Sequence, residues 1–441
     1  MVRKAVLINQ TLAPAQETPR LAGLPLLLRA VLAAQRAGIE ELIVVGGDDP
    51  EPLLGRDSRV HLGWGWIPVP GTGESELEAL RSAAGRLNED FLLFFADSVF
   101  DARTAAALRA TPLDGRLLLV ARPADTPEEL EPAGASLYLC SAELPAAADT
   151  ATPARFGSLY ARLRAGGRAA SVQAQGRLWP RTTERALLRS IHRELAQVSL
   201  KPSDGIFARF TKLVVAGPLI RLFLKTPFTP NAISLLGLVL AVAAAGAFLQ
   251  GNYWWSLLGA ALAYLSAVMD HVDGMVARLK FLESDFGVWL ETTVDFASYF
   301  FIFTGLAAGL YGETGRSVYL VLGGLFAFAN VVSYIVMGRQ RRLAAADKPA
   351  DYVNRIYHKL EEERGNFLHW FTRKFHFLTR RAVLPYIILV FCLLDLRTVL
   401  LAWVTFGANL VWILTLYNNR LFNSSRAKPR ERAPHASAEA D

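Results

Sequence analysis

The sequence predicts a two-part molecule: an N-terminal α/β sheet domain joined to an all-α domain of six transmembrane helices. Three observations carry this. Of the 441 residues, 52% are hydrophobic, and the long apolar runs concentrate after about Pro230. Before that point, short strand-like and helix-like stretches alternate, the pattern of a sheet covered by helices. Within the apolar half sit two acidic clusters, Met269-Asp270-His271-Val272-Asp273-Gly274 and Gly287-Val288-Trp289-Leu290-Glu291-Thr292-Thr293-Val294-Asp295. Carboxylates near a bilayer are costly, so each is a functional candidate.

Residues 1–185 supply the sheet. Lys4–Asn9, Glu41–Gly46, Phe91–Phe95 and Arg116–Val120 read as buried strands, with helices over Leu21–Gly38 and Glu74–Leu87, which argues for a parallel core. Residues 186–228 form a connector: a charged helical stretch ending at Val198, then Lys201–Leu224, which mixes apolar residues with Arg209, Lys212 and Arg221 and reads as a segment lying on the membrane surface. Six spans follow within 229–421, at Ala232–Leu249, Tyr253–Asp270, Gly287–Tyr311, Val318–Gly338, Ala382–Leu396 and Val399–Tyr417. Each approaches the roughly 20 residues that cross the hydrocarbon layer, the fifth being short. Lys348–Lys374 reads as a polar helical extension with Glu361, Glu362 and Glu363, and 422–441 as a disordered tail.

Net charge is +7. Basic loops that face the cytoplasm and anionic lipid headgroups account for it, and no aromatic-interleaved basic patch points to nucleic acid. The turns at Gln250–Asn252, Gly312–Arg316 and Asp395–Arg397 carry little positive charge, whereas the Arg278–Lys280 loop, the Arg339–Arg381 loop and the tail from Arg420 are basic. The positive-inside rule then sets both termini and both acidic clusters on the cytoplasmic side of the inner membrane. Cys140 and Cys392 stand far apart and form no metal or disulfide framework. The N-terminal apolar run is too short for a signal peptide, so the first half is expected to stay in the cytoplasm.

On a helix, Asp270, Asp273 and Ala277 share a face, as do Gly287, Glu291 and Asp295 on the next. Gly274 and Ala277 remove bulk. If the two helices pack, four carboxylates converge, and four like charges in a partly dry site require cations. Oxygen-only ligands favour magnesium, manganese or calcium over zinc. Two such ions would clamp a diphosphate, with Arg278 adding charge-assisted contacts.

This string resembles the signature of the CDP-alcohol phosphotransferases. Asp270, Asp273, Gly274, Ala277, Arg278, Gly287 and Asp295 match at the required spacing, and Glu291 stands where the family has its third Asp. The extra methylene keeps the carboxylate and alters its reach. The resemblance covers roughly residues 200–420 and implies six transmembrane helices, a dinuclear Mg2+ or Mn2+ site and, by analogy, a homodimer. It implies transfer of a phosphoalcohol from a CDP-alcohol donor to a hydroxyl acceptor, a polyol phosphate or a lipid, with release of CMP. By the same resemblance Asp270, Asp273 and Glu291 hold metal, and Asp295 holds metal or acts as general base. Gly274, Ala277 and Arg278, with Asp270, border the cytidine diphosphate, and Gly287 lies opposite. Thr229-Pro230-Asn231 resembles the family's entry to its first helix.

Lys201-Pro202-Ser203-Asp204-Gly205 with Arg209, and Ala277-Arg278-Leu279-Lys280-Phe281, resemble the synthases of di-inositol phosphate phosphates, which often carry a fused cytidylyltransferase. The N-terminal half is accordingly nucleotidyltransferase-like, with Leu24–Val45 resembling that fold's first helix and second strand. It departs where Gln10–Gln16 lacks the glycines that would cradle a triphosphate. Asp97 sits where that fold has a metal-binding Asp, but Leu178–Thr183 supplies no second one. The domain therefore reads as a degenerate relative and Asp97 as a solvated strand-end carboxylate.

His271 reads as a spacer, pointing about 100° from Asp270 on a helix. Arg209, Lys212, Arg221 and Lys225 could hold an acceptor phosphate or anchor to lipid heads. Trp254, Trp255 and Trp403 read as interfacial belt residues. The rival readings are a cation transporter built on the same carboxylates, which would need broken helices in paired repeats, and a catalytically dead scaffold.

Overall fold

The computed structural model describes residues 1–9, 19–69, 76–123, 135–147, 156–198, 200, 206–344 and 383–427. The loop Gln10–Gln16, the segment Lys201–Gly205, Lys348–Lys374 and the tail beyond Ala427 lie outside them. Two compact units result. The first comprises Met1–Leu200, Arg221–Pro227 and Ala277–Leu282; the second comprises Lys201–Ile220, Phe228–Val276 and Glu283–Asp441.

The first unit is built on a seven-stranded sheet: β1 (Lys4–Ile8), β2 (Glu41–Val45), β3 (Gly63–Ile67), β4 (Phe91–Phe95), β5 (Leu118–Arg122), β6 (Leu137–Cys140) and β7 (Ala169–Gln173), in the order β7-β5-β6-β4-β1-β2-β3. The expected parallel core is present over β4-β1-β2-β3, while β6 runs antiparallel to both β4 and β5. In β1, Ala5 and Leu7 enter one apolar cluster and Val6 and Ile8 the other, so both faces are covered and the strand reads as an unbroken apolar run. Helices α1 (Leu26–Arg36) and α3 (Ala102–Ala110) cover one face; α2 (Glu76–Ser82) and α4 (Phe156–Ala165) cover the other. The helix expected over Leu21–Gly38 begins only at Leu26, because Ala22 and Gly23 adopt positive φ in a tight turn ahead of Pro25. The connector helix α5 spans Arg185–Val198.

The second unit is helical. It contains α6 (Pro230–Phe248), α7 (Tyr253–Lys280, whose last residues fall in the first unit), α8 (Asp285–Thr314), α9 (Val318–Ala344), α10 (Leu384–Leu393) and α11 (Arg397–Ala427). Four of these, α6 to α9, are long and apolar enough to cross a membrane, and the described apolar parts of α10 and α11 are shorter. Arg278–Lys280, expected as a loop, is the last turn of α7, since no breaker intervenes before Phe281 turns the chain at positive φ. Away from the acidic motif, Arg397 ties four helix ends: it donates to the Gly251 carbonyl at 3.0 Å and the Ser256 hydroxyl at 3.2 Å and pairs with Glu313 at 3.1 Å and Asp395 at 2.8 Å. Ahead of α6, Ile206–Phe210, a π-helical turn Thr211–Val215 and Gly217–Leu224 form the juxtamembrane segment. There Lys212 is buried rather than presented to lipid heads, while Arg221 is exposed.

Candidate active site

The α7 and α8 helices carry the acidic motif without interruption. Helix α8 is started by Ser284, whose hydroxyl accepts from the Gly287 amide at 3.0 Å. A side chain at Gly287 would meet Ser284 and the Asn231 amide oxygen of α6, so the motif's glycine sits where another helix comes close. Helix α6 is started by Thr229, whose hydroxyl accepts from Ala232 N, with Pro230 at its first position.

Asp270, Asp273 and Asp295 line one pocket, together with Ser234, Ser298 and Tyr299. No Lys or Arg is among the described residues lining it. Asp273 is 3% exposed. The Ser234 hydroxyl donates to its Oδ2. Its Oδ1 is buried with no hydrogen-bond partner among the described residues. Ser234 is invisible to the signature. The signal for it was a hydroxyl inside an otherwise apolar span.

Glu291 lies one turn before Asp295, half-buried, and is not among the pocket's lining residues, though its charge bears on Asp273 together with that of Asp270. Among the described residues, no three His, Cys, Asp or Glu side chains are drawn together tightly enough to form a ready metal cage. The expected four-carboxylate convergence is therefore three aspartates around one pocket with a glutamate beside it. The His271 ring does approach Asp270, with Nδ1 3.4 Å from Oδ2, because neighbouring long side chains on a helix can bend together despite their divergent Cβ directions. Gly274 and Ala277 are half-buried further along α7, and Arg278 Nε is buried without a hydrogen-bond partner among the described residues.

These residues suit a divalent cation. A buried carboxylate oxygen lacking a donor, beside two further aspartates and no basic side chain, is an uncompensated site of the kind a hard cation neutralises.

The first unit treats its carboxylates differently. Asp97, just past β4, is not solvated but paired: Arg181 Nε donates to its Oδ1 at 2.9 Å. Arg181 Nη1 donates to Glu76 Oε1 at 2.6 Å, and Glu76 Oε2 accepts from the Phe156 amide at 2.7 Å. The guanidinium lies 3.5 Å from the centroid of the Phe95 ring. Burial works against the charge on Arg181, but Asp97 and Glu76 outweigh it and hold the guanidinium above its ordinary pKa. The segment expected to lack a second Asp thus supplies an arginine instead.

The helical region matches a known family. Residues 228–414 match the family model described as CDP-alcohol phosphatidyltransferase. Residues 228–414 therefore form a CDP-alcohol phosphatidyltransferase domain, an enzyme domain that includes four helices long and apolar enough to cross a membrane. The chain is 27% identical over 323 residues to a bifunctional IPC transferase and DIPP synthase of Rubrobacter xylanophilus, covering 66% of this chain and 72% of that one. It is also 31% identical over 136 residues to a phosphatidylinositol phosphate synthase of Mycobacteroides abscessus, covering 30% of this chain and 60% of that one. Among solved structures, a UTP-bound UGPase from Acinetobacter baumannii is similar at 15% identity and a TM-score of 0.35, covering 49% of this chain and 99% of that one.

Proposed function

We propose that this protein moves a phosphoalcohol group from a CDP-activated donor to a hydroxyl acceptor, releasing CMP, and that the acceptor is a phosphorylated inositol or a closely related polyol phosphate. The observation that supports the reaction most is the pocket where Asp270, Asp273 and Asp295 meet without a basic side chain among its described lining residues. The acceptor class rests on the relative named for phosphatidylinositol phosphate synthesis.

In this reading Asp270, Asp273 and Glu291 hold two Mg2+ or Mn2+ ions, and Asp295 holds metal or takes the acceptor's proton. When bound, the cations neutralise the diphosphate and stabilise the leaving phosphate. Asp295 accepts the proton from the acceptor hydroxyl. The freed oxygen forms a bond to the phosphorus that bears the donor alcohol. The bond from that phosphorus to the bridging oxygen breaks, and CMP departs with the electron pair. Gly274, Ala277 and Arg278 border the cytidine diphosphate along α7, and Gly287 leaves room opposite.

The N-terminal sheet domain, residues 1–185, is proposed to be non-catalytic, since Asp97 is already neutralised by Arg181. Residues 186–228 then connect it to the membrane domain of 229–421. Both termini and the acidic motif lie on the cytoplasmic side, among membrane lipids, and the assembly is a homodimer.

The test is to incubate purified protein with Mg2+ or Mn2+, a panel of CDP-alcohols and inositol phosphate, and to measure CMP. Divalent-dependent CMP release that requires acceptor is expected; no release from any donor at any divalent concentration would sink the proposal. A second reading, a catalytically impaired scaffold, is favoured by one observation: the described residues form no tight three-ligand group. The same assay separates the two.

A further inference from the structure

The signature names the carboxylates and says nothing of what aims them. Asp273 has two carboxylate oxygens, and the structure treats them unequally: Oδ2 accepts from the Ser234 hydroxyl, while Oδ1 is buried and has no hydrogen-bond partner among the described residues. A carboxylate 3% exposed cannot turn to water for its second partner, so its orientation follows from the Ser234 hydroxyl, the one side-chain donor among the described residues, together with the Gly274 backbone amide beside it.

The donor's own position is fixed. Ser234 is 5% exposed on α6, and its hydroxyl also lies 3.2 Å from the Pro230 carbonyl, one turn back. One turn onward, on the same face, Gly237 packs against α7: a Cβ there would come within 3.3 Å of Met269 Cβ, and the Gly237 carbonyl accepts from the Ser266 hydroxyl at 2.7 Å. Ser266 lies two turns before Asp273 on the same face of α7. Two hydroxyl contacts therefore cross between α6 and α7 in opposite directions, one registering the helices and the other holding the acid.

We infer that Ser234 is a positioning residue for the cation site: it occupies Asp273 Oδ2 and so leaves Oδ1 as the oxygen that meets a divalent ion. The inference rests on the metal-dependent reading above, and groups that orient a metal ligand in this way are worth about 10- to 100-fold in metal affinity.

The test uses full-length protein in detergent, with neither donor nor acceptor, and follows Mn2+ binding by electron paramagnetic resonance. Ser234→Ala is expected to weaken Mn2+ binding about 10- to 100-fold, and Ser234→Thr, which retains the hydroxyl, to stay within about threefold of the parent. Ser256→Ala is the control. It removes a different buried serine hydroxyl, on α7 and 1% exposed, in the Arg397 cluster, and is expected to leave Mn2+ affinity unchanged. If Ser234→Ala binds Mn2+ like the parent, or if Ser256→Ala weakens binding as much as Ser234→Ala does, the positioning role is overturned. Should Ser234→Ala fail to fold, Ser234→Cys, which exchanges the hydroxyl for a weak thiol donor, decides: weakened Mn2+ binding with folding intact upholds the role, and parental affinity overturns it. Because the readout is metal binding without turnover, its outcome stands apart from whether CMP is ever released.

Discussion

The two units each gather carboxylates and resolve the charge in opposite ways. In the first, Asp97 and Glu76 close on Arg181, which also stacks over Phe95. The cation is supplied by the chain. In the second, Asp270, Asp273 and Asp295 surround a pocket with no Lys or Arg among its described lining residues, and a buried oxygen of Asp273 has no donor. There no described side chain of the lining supplies a cation. Acids paired with a cation of the chain are withdrawn from chemistry; acids gathered around a pocket with no basic side chain in its described lining repel one another, and a bound cation would relieve that repulsion. The comparison separates an acidic cluster closed by the chain's own arginine from one proposed to serve a reaction.

The largest effect expected from this contrast is at Asp295. Asp295→Asn keeps the size and removes the charge, and CMP release should fall about a thousandfold, the scale of losing one preorganised electrostatic group in a reaction centre. The thermal unfolding midpoint should not fall, since the charge at 295 shares one pocket with those of Asp270 and Asp273 and like charges repel. Full turnover in the purified variant would contradict its role. Next comes Arg181→Ala, which leaves Asp97 and Glu76 without their cation. A cost of about 3 kcal/mol is expected, the low end for breaking a buried pair because both partners retain some exposure. Denaturant unfolding measures it. Divalent-dependent CMP release at a permissive temperature should persist; its loss in a folded variant would mean the sheet domain takes part in the reaction.

How far the sequence foretold this depends on the range of the interaction. The acidic motif was legible because its residues recur at three- and four-residue offsets, and helices α7 and α8 preserve those offsets as faces. Strands β1, β2 and β4 were legible as buried apolar runs. Strand β3 was not, because Gly-Trp-Gly-Trp-Ile alternates glycine with tryptophan and has weak strand character; nor was β6, only four residues long and antiparallel. Contacts between distant positions left no local trace. Asp97 and Arg181 are 84 residues apart, and Ser234 and Asp273 are 39 apart. Which oxygen of Asp273 is held, and that Glu291 stands beside the pocket instead of lining it, follow from how α6, α7 and α8 pack.

That displacement of Glu291 gives a smaller prediction. Glu291→Asp withdraws the carboxylate by one methylene from a position already outside the pocket's lining. The divalent concentration at half-maximal rate should rise about tenfold, with kcat at saturating metal changed less. A titration curve superimposable on the parent's would show that the glutamate does not reach the ions.

The smallest effect tests the closed half of the comparison at another site. In the first unit Asp57 accepts from Arg59 Nε at 2.8 Å and from the Arg59 amide at 3.0 Å. The Arg59 side-chain hydrogen bond, acting against burial, holds the Asp57 carboxyl below its ordinary pKa. A carboxyl depressed on folding adds stability at pH above its unfolded pKa, and that stability is lost as pH falls through the folded value. Asp57→Asn should therefore cost about 0.5–1 kcal/mol at neutral pH, the range for an ion pair within reach of solvent. The parent and variant should converge as the pH falls through the depressed folded value of Asp57, where both side chains are uncharged. Unfolding measured across pH 2–7 checks this. A gap that stays constant to the acid end would assign the effect to packing instead of charge, and the first unit's acids would then have to be judged pair by pair.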